Sequence, residues 1–352
     1  MKLISALTAG TLIAAGGVVA VAGPAMSSSG LTTRCNGTAD GVTIPGDLVV
    51  PRDASCDLTG VTVTGTTRVA AGGDLVAEGT TFQGAVTVAE DGYVGLVDSS
   101  VAGRVTSRQG FGVTLEGSSA QSLVTRAVEG SQVETVTWVE AGSTVSGAVD
   151  ARAGELLLSS SVVTGNVRGL GTLYTDVVDS VVDGTLEVRD NVEGGVFCES
   201  EVYGDATYAG NMSVLQLGAD GPVEVCEQMS VWGGDVTVVD NEAEIVLDQN
   251  IVRGDVTLTG NDPMPTVGPD NRVRGTVNGI PQSEAEAEAE AMVAPQELAR
   301  SVQKAAASPM ARTAVEAPTV ESVLEREDGR RAAVEQRTAD AEAAAAAAGP
   351  IA

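Results

Sequence analysis

The chain has 352 residues and a formal net charge of −28, from 48 acidic and 20 basic side chains, and it contains no histidine. So acidic a surface repels nucleic acid and anionic membranes, so neither is expected as a partner. Histidine, the commonest metal ligand, is missing, and aromatic residues form only 3% of the chain, which leaves little for a sugar-binding platform.

The N-terminus predicts a signal peptide over residues 1–22. Lys2 precedes an apolar stretch, Leu3–Val21, and Ala20-Val21-Ala22 fits a cleavage site. A retained membrane anchor is the alternative, but three glycines interrupt the stretch. We therefore expect a secreted protein with no membrane span in its mature form, either free or held at the cell surface. Residues 23–34 are expected to form a short linker.

A repeat begins after the linker and continues to about residue 281. Gly46, Gly65, Gly84 and Gly103 lie 19 residues apart, and Ser122 stands at the next step. With steps of 18 to 30 residues, the series continues through Gly147, Gly165, Gly184, Gly204, Gly234, Gly254 and Gly275. Self-similarity at this period is typical of a solenoid, in which each repeat buries its apolar face against its neighbours.

Alternate positions around each glycine are apolar and mostly β-branched, as in Val63, Val101 and Val105. This period of two predicts a strand with one buried face. Nineteen residues leave no room for a βαβ crossover, whose helix alone needs about 10–12 residues. We predict an all-β chain: a single parallel β-helix of about 12 rungs over residues 35–281, roughly 55 Å long. The hand is expected to be right, as in most parallel crossovers.

Two intervals are longer than the others, Ser122 to Gly147 and Gly204 to Gly234. Each is expected to carry a protruding loop, and insertions on a solenoid often form its working surface. Trp138, Tyr208 and Trp232 lie in these intervals and are candidate ligand-binding residues. The alternative is that each ring only packs its loop against the rod.

Four cysteines in an exported chain predict two disulfides. Cys35 and Cys56 are 21 residues apart, and Cys198 and Cys226 are 28 apart, so each pair fits adjacent rungs. Of the three connectivities, only Cys35–Cys56 with Cys198–Cys226 leaves the coil undistorted. A metal site is not expected, because CxxC spacing is absent. Calcium-binding repeats are also absent, and no cofactor is expected.

One cluster of carboxylates is a candidate catalytic site. Asp176, Asp179 and Asp183 lie in TDVVDSVVDG, and Glu187 follows on the next strand. Paired carboxylates on a β-helix suit a polysaccharide lyase or hydrolase, whereas the plainer interpretation is a set of solvated turn charges. A column of threonines raises ice binding as a third possibility, but Asp150, Arg168 and Glu187 interrupt it.

The composition changes at residue 282. Residues 282–352 are rich in alanine and glutamate and are interrupted by Pro295, Pro309, Pro318 and Pro350. We expect a flexible, transiently helical acidic tail. Its role is open between a spacer, a partner-binding segment and a solvating tail.

The residues that begin and end the repeat carry a resemblance. The chain opens with CNGTADGVTIPGDLVVPRDASCDLTGVTVTG and closes with LTGNDPMPTVGPDNRVRGTVNG. Over residues 35–279 it resembles secreted actinobacterial right-handed parallel β-helix repeat proteins of unknown function. The repeat text is more distantly similar to bactofilins, which are cytosolic polymers. The resemblance implies fold and export but no established activity.

Together these features favour a non-catalytic extracellular scaffold, structural or adhesive. Export, disulfides, a stiff body and an acidic coat are all that this role requires. The expected partners are further copies of the chain, or a glycan or protein outside the cell. Self-association is expected because parallel coils associate end to end unless they are capped.

Overall fold

The computed structural model describes residues 30–126, 134–218, 221, 223–280 and 320–351. They form a parallel β-solenoid of about 12 turns with one C-terminal helix. The predicted fold class is thereby confirmed, while its hand stays a prediction. The predicted signal peptide lies outside the described residues.

Each turn of the solenoid contributes strands to three faces. Face 1 is a separate 12-stranded parallel sheet. Its strands are β2 (Gly37–Asp40), β5 (Ser55–Thr59), β8 (Asp74–Glu78), β11 (Tyr93–Val97), β13 (Gly112–Glu116), β15 (Val136–Glu140), β18 (Glu155–Ser159), β21 (Thr175–Val178), β24 (Gly194–Cys198), β27 (Met212–Gly218), β30 (Glu242–Asp248) and β33 (Thr266–Val267).

Face 2 follows face 1 in each turn and holds short strands. They are β3 (Thr43–Ile44), β6 (Thr62–Val63), β9 (Thr81–Phe82), β16 (Thr144–Val145), β19 (Val162–Val163), β22 (Val181–Val182), β25 (Glu201–Val202), β28 (Ser230–Trp232), β31 (Asn250–Val252) and β34 (Arg272–Val273).

Face 3 completes each turn after the repeat glycine. Its strands are β1 (Thr32–Arg34), β4 (Asp47–Val50), β7 (Thr67–Val69), β10 (Val86–Val88), β17 (Val149–Arg152), β20 (Val167–Leu170), β23 (Leu186–Arg189), β26 (Ala206–Ala209), β29 (Val236–Val239), β32 (Val256–Thr257) and β35 (Val277–Asn278). In two turns a single strand spans faces 2 and 3, namely β12 (Ser100–Arg108) and β14 (Ser119–Arg126).

The register of face 1 reproduces the 19-residue period. Tyr93 pairs with Asp74 on one side and with Gly112 on the other. The predicted inward positions, such as Val63, Val101 and Val105, are buried in one continuous core. Alternation therefore identified the buried side of the strands, because successive side chains point to opposite faces of a strand.

The repeat glycines are required because the backbones of successive turns approach closely. A Cβ atom at Gly204 would lie 2.6 Å from the carbonyl oxygen of Gly184. Ser122 is tolerated in β14, where the register shifts between Val101 and Arg104 of the neighbouring strand.

Buried polar side chains connect the turns at two corners. The backbone N–H of Thr80 donates to the Ser99 hydroxyl (3.0 Å), and the N–H of Ser99 donates to that of Ser118 (2.9 Å). At another corner, the N–H of Asn191 donates to Asn211 Oδ1 at 3.1 Å. These ladders satisfy buried backbone donors, which would otherwise carry an energetic penalty.

The C-terminal tail differs from its prediction. A 29-residue helix, α1 (Val320–Ala348), lies against face 1, so residues 320–351 are not a flexible tail. No proline falls between Pro318 and Pro350, and alanine, glutamate and arginine, which are strong helix formers, make up most of the helix despite Gly329. Gly349, at a φ of 82°, ends the helix. Residues 281–319 lie outside the described part of the chain.

Candidate interaction surfaces

The four candidate catalytic carboxylates are distributed over different parts of the turn. Asp176 is buried in β21 on face 1 and accepts a hydrogen bond from the N–H of Val196 (2.8 Å). Asp179 occupies the following corner with a φ of 46° and accepts from the Ser160 hydroxyl at 2.8 Å. Their environments are those of structural side chains within the coil.

The other two carboxylates lie farther along the turn. Asp183 follows β22, whereas Glu187 lies in β23 on face 3 and pairs with Arg168 (3.2 Å) and Arg189 (2.6 Å). Within the described ranges, no three His, Cys, Asp or Glu side chains are grouped so that they could hold a metal ion. The sequence brought these acids together in one segment, but the coil separates them.

Two of the three candidate ligand-binding aromatics are inside the rod. Trp232 stacks on Phe197 with ring centroids 3.8 Å apart, and Tyr208 meets Trp232 edge-on at 6.3 Å. Burial raises the pKa of the Tyr208 hydroxyl. Both rings belong to the inward columns of the repeat, and Trp232 lies two residues before Gly234, where other turns carry Val, Ile, Ala or Phe. They cannot stack on a ligand without opening the coil.

Both predicted disulfides are present. Cys35 bonds to Cys56 and Cys198 to Cys226, with Cα–Cα distances of 5.4 and 5.5 Å. The first joins adjacent strands near the start of the rod. The second holds the loop of the longest interval over the outer side of face 1, where Val196 and Cys226 pack together.

Trp138 lies on the outer side of face 1 but is buried beneath α1. It packs in one apolar cluster with Tyr93, Val136 and Leu157 of face 1 and with Val334 of the helix. An outward-facing apolar cluster on a solenoid requires a cover. Here the cover is the C-terminal strap, defined as α1 together with Gly349–Ile351.

Arginines of the strap meet acidic residues on or beside face 1. Arg330 pairs with Glu155 at 3.0 Å and also with Glu134, while Arg331 pairs with Glu140 at 3.0 Å. Arg337, seven residues after Arg330 in α1, pairs with Asp74 (2.9 Å) and Asp91 (3.4 Å). Three arginines of the strap are therefore paired with five acidic residues on or beside face 1.

Two of these arginines also lie over aromatic rings. The guanidinium carbon of Arg331 is 5.1 Å from the centroid of Trp138, and that of Arg337 is 5.0 Å from Phe111. Tyr93 adds a polar contact, since its hydroxyl lies 3.0 Å from Thr338 Oγ1. Cation–π contacts favour arginine over other cations at such sites.

Glu155 is the most buried acid of this interface, with 0% of its surface exposed. Burial raises the pKa of its carboxyl, and the opposing influence of Arg330 only partly offsets this. The Tyr174 hydroxyl donates to Glu155 Oε2 at 3.0 Å. The pKa of Asp74 is likewise raised by burial and opposed by Arg337. Docking of the strap thus holds two carboxylates away from water.

The length of the strap from Arg330 to Gly349 matches the combined spacing of the face 1 strands that it crosses. Arg330 meets β18, and Gly349 meets Thr38 in β2, six strands away. Six strand spacings are about 29 Å, and the 19 helical rises from Arg330 to Gly349 also give about 29 Å. The helix consequently runs across the strands, from the middle of the rod back to its first turn.

A half-open groove of about 410 Å³ remains between α1 and face 1. Its floor includes Tyr93, Gly95 and Trp138, and Glu140 and Glu342 are among the acids along it. The aromatic floor and acidic walls are suited to cationic groups, and Arg331 of the strap already occupies part of this surface.

The strap could have been suspected from the four arginines, Arg326, Arg330, Arg331 and Arg337, in the first two thirds of a helical segment that is otherwise rich in alanine and glutamate. Within the described part of the chain, no helical segment has the length and hydropathy of a bilayer span. Comparison with protein-family models, with curated proteins and with solved structures finds no match to this chain.

Proposed function

We propose that the protein is a secreted, non-catalytic scaffold that acts outside the cell in a structural or adhesive role. The observation that carries this proposal is the pair of disulfides, Cys35–Cys56 and Cys198–Cys226, which join adjacent turns. Structural disulfides persist in oxidising compartments and are rare in the cytosol. The signal peptide predicted over residues 1–22 and the net charge of −28 agree with export.

A non-catalytic role is supported by the placement of the acids. Asp176 and Asp179 make hydrogen bonds within the coil, and Glu187 is held between two arginines. Retaining and inverting glycosidases instead need two carboxyl groups facing one substrate, about 5 to 10 Å apart. A rod with a continuous core is well suited to bearing load and presenting surface.

The first test is cell fractionation of the source organism combined with thiol alkylation. We expect the chain in the medium or on the cell surface, starting near residue 23, with all four cysteines resistant to alkylation until a reductant is added. A cytoplasmic chain with reactive thiols would contradict the proposal.

Catalysis is tested separately with the purified chain and a panel of polyuronates and neutral polysaccharides. We expect no release of unsaturated or reducing sugars. Release that is lost in Asp179→Asn or Asp183→Asn and retained in the control variant Asp40→Asn, an exposed acid outside the cluster, would overturn the non-catalytic role and establish a carbohydrate-active enzyme.

A further inference from the structure

The first strand of face 1 is paired with the last residues of the chain. β2 is an edge of the 12-stranded sheet, and an unpaired edge is a template for association. The N–H of Thr38 donates to the carbonyl oxygen of Gly349 (2.9 Å), and the N–H of Ile351 donates to the carbonyl oxygen of Thr38 (2.9 Å). The bridge is parallel, like every pairing within the sheet.

The sequence at both partners fits this contact. A Cβ atom at residue 37 would collide with the carbonyl oxygen of Gly349, so Gly37 permits the approach. Pro350 has no N–H and lies between the two bonded residues, where no donor is needed. The Ile351 side chain packs against the end of the core near Ala39. The C-terminus of the chain therefore closes the N-terminal end of the rod.

The opposite end of the rod is different. β33 is the other edge of face 1, and in the described part of the chain no further strand pairs with it. Val267, Val273, Val277 and Ile280 lie there, partly buried against the end of the core. This end presents apolar side chains and a strand edge of the kind that Gly349–Ile351 cover at the first turn.

The two ends are complementary by construction. β2 and β33 are opposite edges of one parallel sheet, so a second copy that continued the stack would pair its β33 with β2 in the direction used by all internal neighbours. Such a contact is heterologous and does not close, so it generates filaments rather than dimers.

We propose that the N-terminal end of the rod is a self-association surface for the C-terminal end of a second copy, and that Gly349–Ile351 keep it closed. The inference rests on the proposed scaffold function and names its partner. The arginine contacts of α1 hold the closing residues in place. Effective concentrations for tethered segments are in the millimolar range, so the intact chain stays monomeric at lower concentration.

The test compares the full mature chain with a chain that ends at Ala348, which lacks the closing residues but keeps α1. Analytical ultracentrifugation and negative-stain electron microscopy are run on both, with disulfides intact. We expect a single monomeric species for the full chain. For the shortened chain we expect a mass that rises to many chains with concentration, as filaments of constant width.

Further variants separate this mechanism from misfolding. Ile351→Asp in the full-length chain places a charge at the end of the core and should also cause assembly. Thr38→Pro in the shortened chain removes the edge donor and should restore the monomer. Val267→Lys, at the other end, should restore it too, whereas a dimer joined through two N-terminal ends would be insensitive to this change.

A shortened chain that keeps the circular dichroism spectrum and melting temperature of the parent but stays monomeric would overturn the inference. Amorphous aggregation that persists with Thr38→Pro and Val267→Lys would overturn it as well. Neither result bears on export or on catalysis, which the fractionation and polysaccharide assays measure independently, so failure of the inference is distinguishable from failure of the proposed function.

Discussion

Face 1 is covered in two different ways along the rod. Over the first seven turns its outer side is covered by the strap, held by arginine–carboxylate pairs. Farther on, the loop before Cys226 covers Val196, and the Cys198–Cys226 bond holds this loop in place. Gln216 holds it as well, because its side-chain oxygen accepts from the N–H groups of Val223 (3.1 Å) and Glu224 (3.0 Å).

The two covers differ in how they can be released. The loop is covalently fixed and responds only to reduction. The strap is noncovalent, so pH, salt and partners can shift its equilibrium, and its release uncovers an aromatic, acidic surface. A noncovalent cover that can dissociate is suited to regulating access to face 1, whereas a disulfide-bonded cover is suited to stabilising the fold permanently.

The largest effect should come from breaking the fixed cover. In the Cys198→Ser, Cys226→Ser double variant we expect the free energy of unfolding to fall by about 3.5 kcal/mol, from the entropy of a 28-residue loop. Denaturant unfolding measures this. The matched control, Cys35→Ser with Cys56→Ser, should lose a similar amount and leave the loop over Val196 protected from proteolysis. A loss below 1 kcal/mol for the first variant would contradict a stabilising role for that loop.

Breaking the strap at its most buried contact should have the next largest effect. Arg330→Ala leaves the fully buried Glu155 without its cationic partner. Breaking a buried pair costs about 3–5 kcal/mol, and undocking of α1, which returns the Glu155 carboxylate to water, sets an upper limit to that loss. Hydrogen exchange of α1 should therefore speed up while exchange in the rod is unchanged. Unaltered exchange of α1 would show that the arginine does not hold the strap.

A smaller effect is expected at the neighbouring arginine. The side chain of Arg331 is 43% exposed and contacts Glu140 and Trp138. Exposed ion pairs and cation–π contacts contribute about 1 kcal/mol or less. Arg331→Lys should keep the ion pair and lose part of the ring contact, and Arg331→Ala should lose both, as measured by hydrogen exchange of α1. Equal increases in the hydrogen exchange of α1 for Arg330→Ala and Arg331→Ala would contradict the prediction that the buried ion pair contributes more than the exposed one.

The smallest effect concerns pH. Burial raises the pKa of Glu155 and of Asp74, so the folded protein binds more protons than the unfolded chain. Their contribution to stability therefore grows as pH falls through the raised pKa values and levels off near the ordinary values of 4.5 and 3.8. The melting temperature should rise slightly from neutral pH towards pH 5, and Glu155→Gln should flatten this rise. A steeper rise in Glu155→Gln would contradict the assignment.

The disulfide pairing and the inward column could be read from spacing, because both follow from a turn that advances by one strand every 19 residues. Tyr208 and Trp232 are buried in the core instead of lying on a protruding loop, because the register of the repeat and not the length of the interval fixes their position. Trp232 occupies the same step before its glycine as Val63 and Phe82. Trp138 lies in strand β15 instead of a protruding loop, and its outward side chain is covered by α1, which the sequence does not indicate.

The local periodic structure follows from the amino-acid sequence alone, including the turns, their strands, the glycine corners and the cysteine pairs. These depend on contacts between residues about one turn apart, which the repeat makes visible. The place of the C-terminal segment emerges only in the folded chain, because its contacts join residues far apart in sequence: Arg330 to Glu155, 175 residues away, and Ile351 to Thr38. The buried stripe of α1, Val334, Ala341 and Ala345, is hidden in a helix that carries alanine on every side.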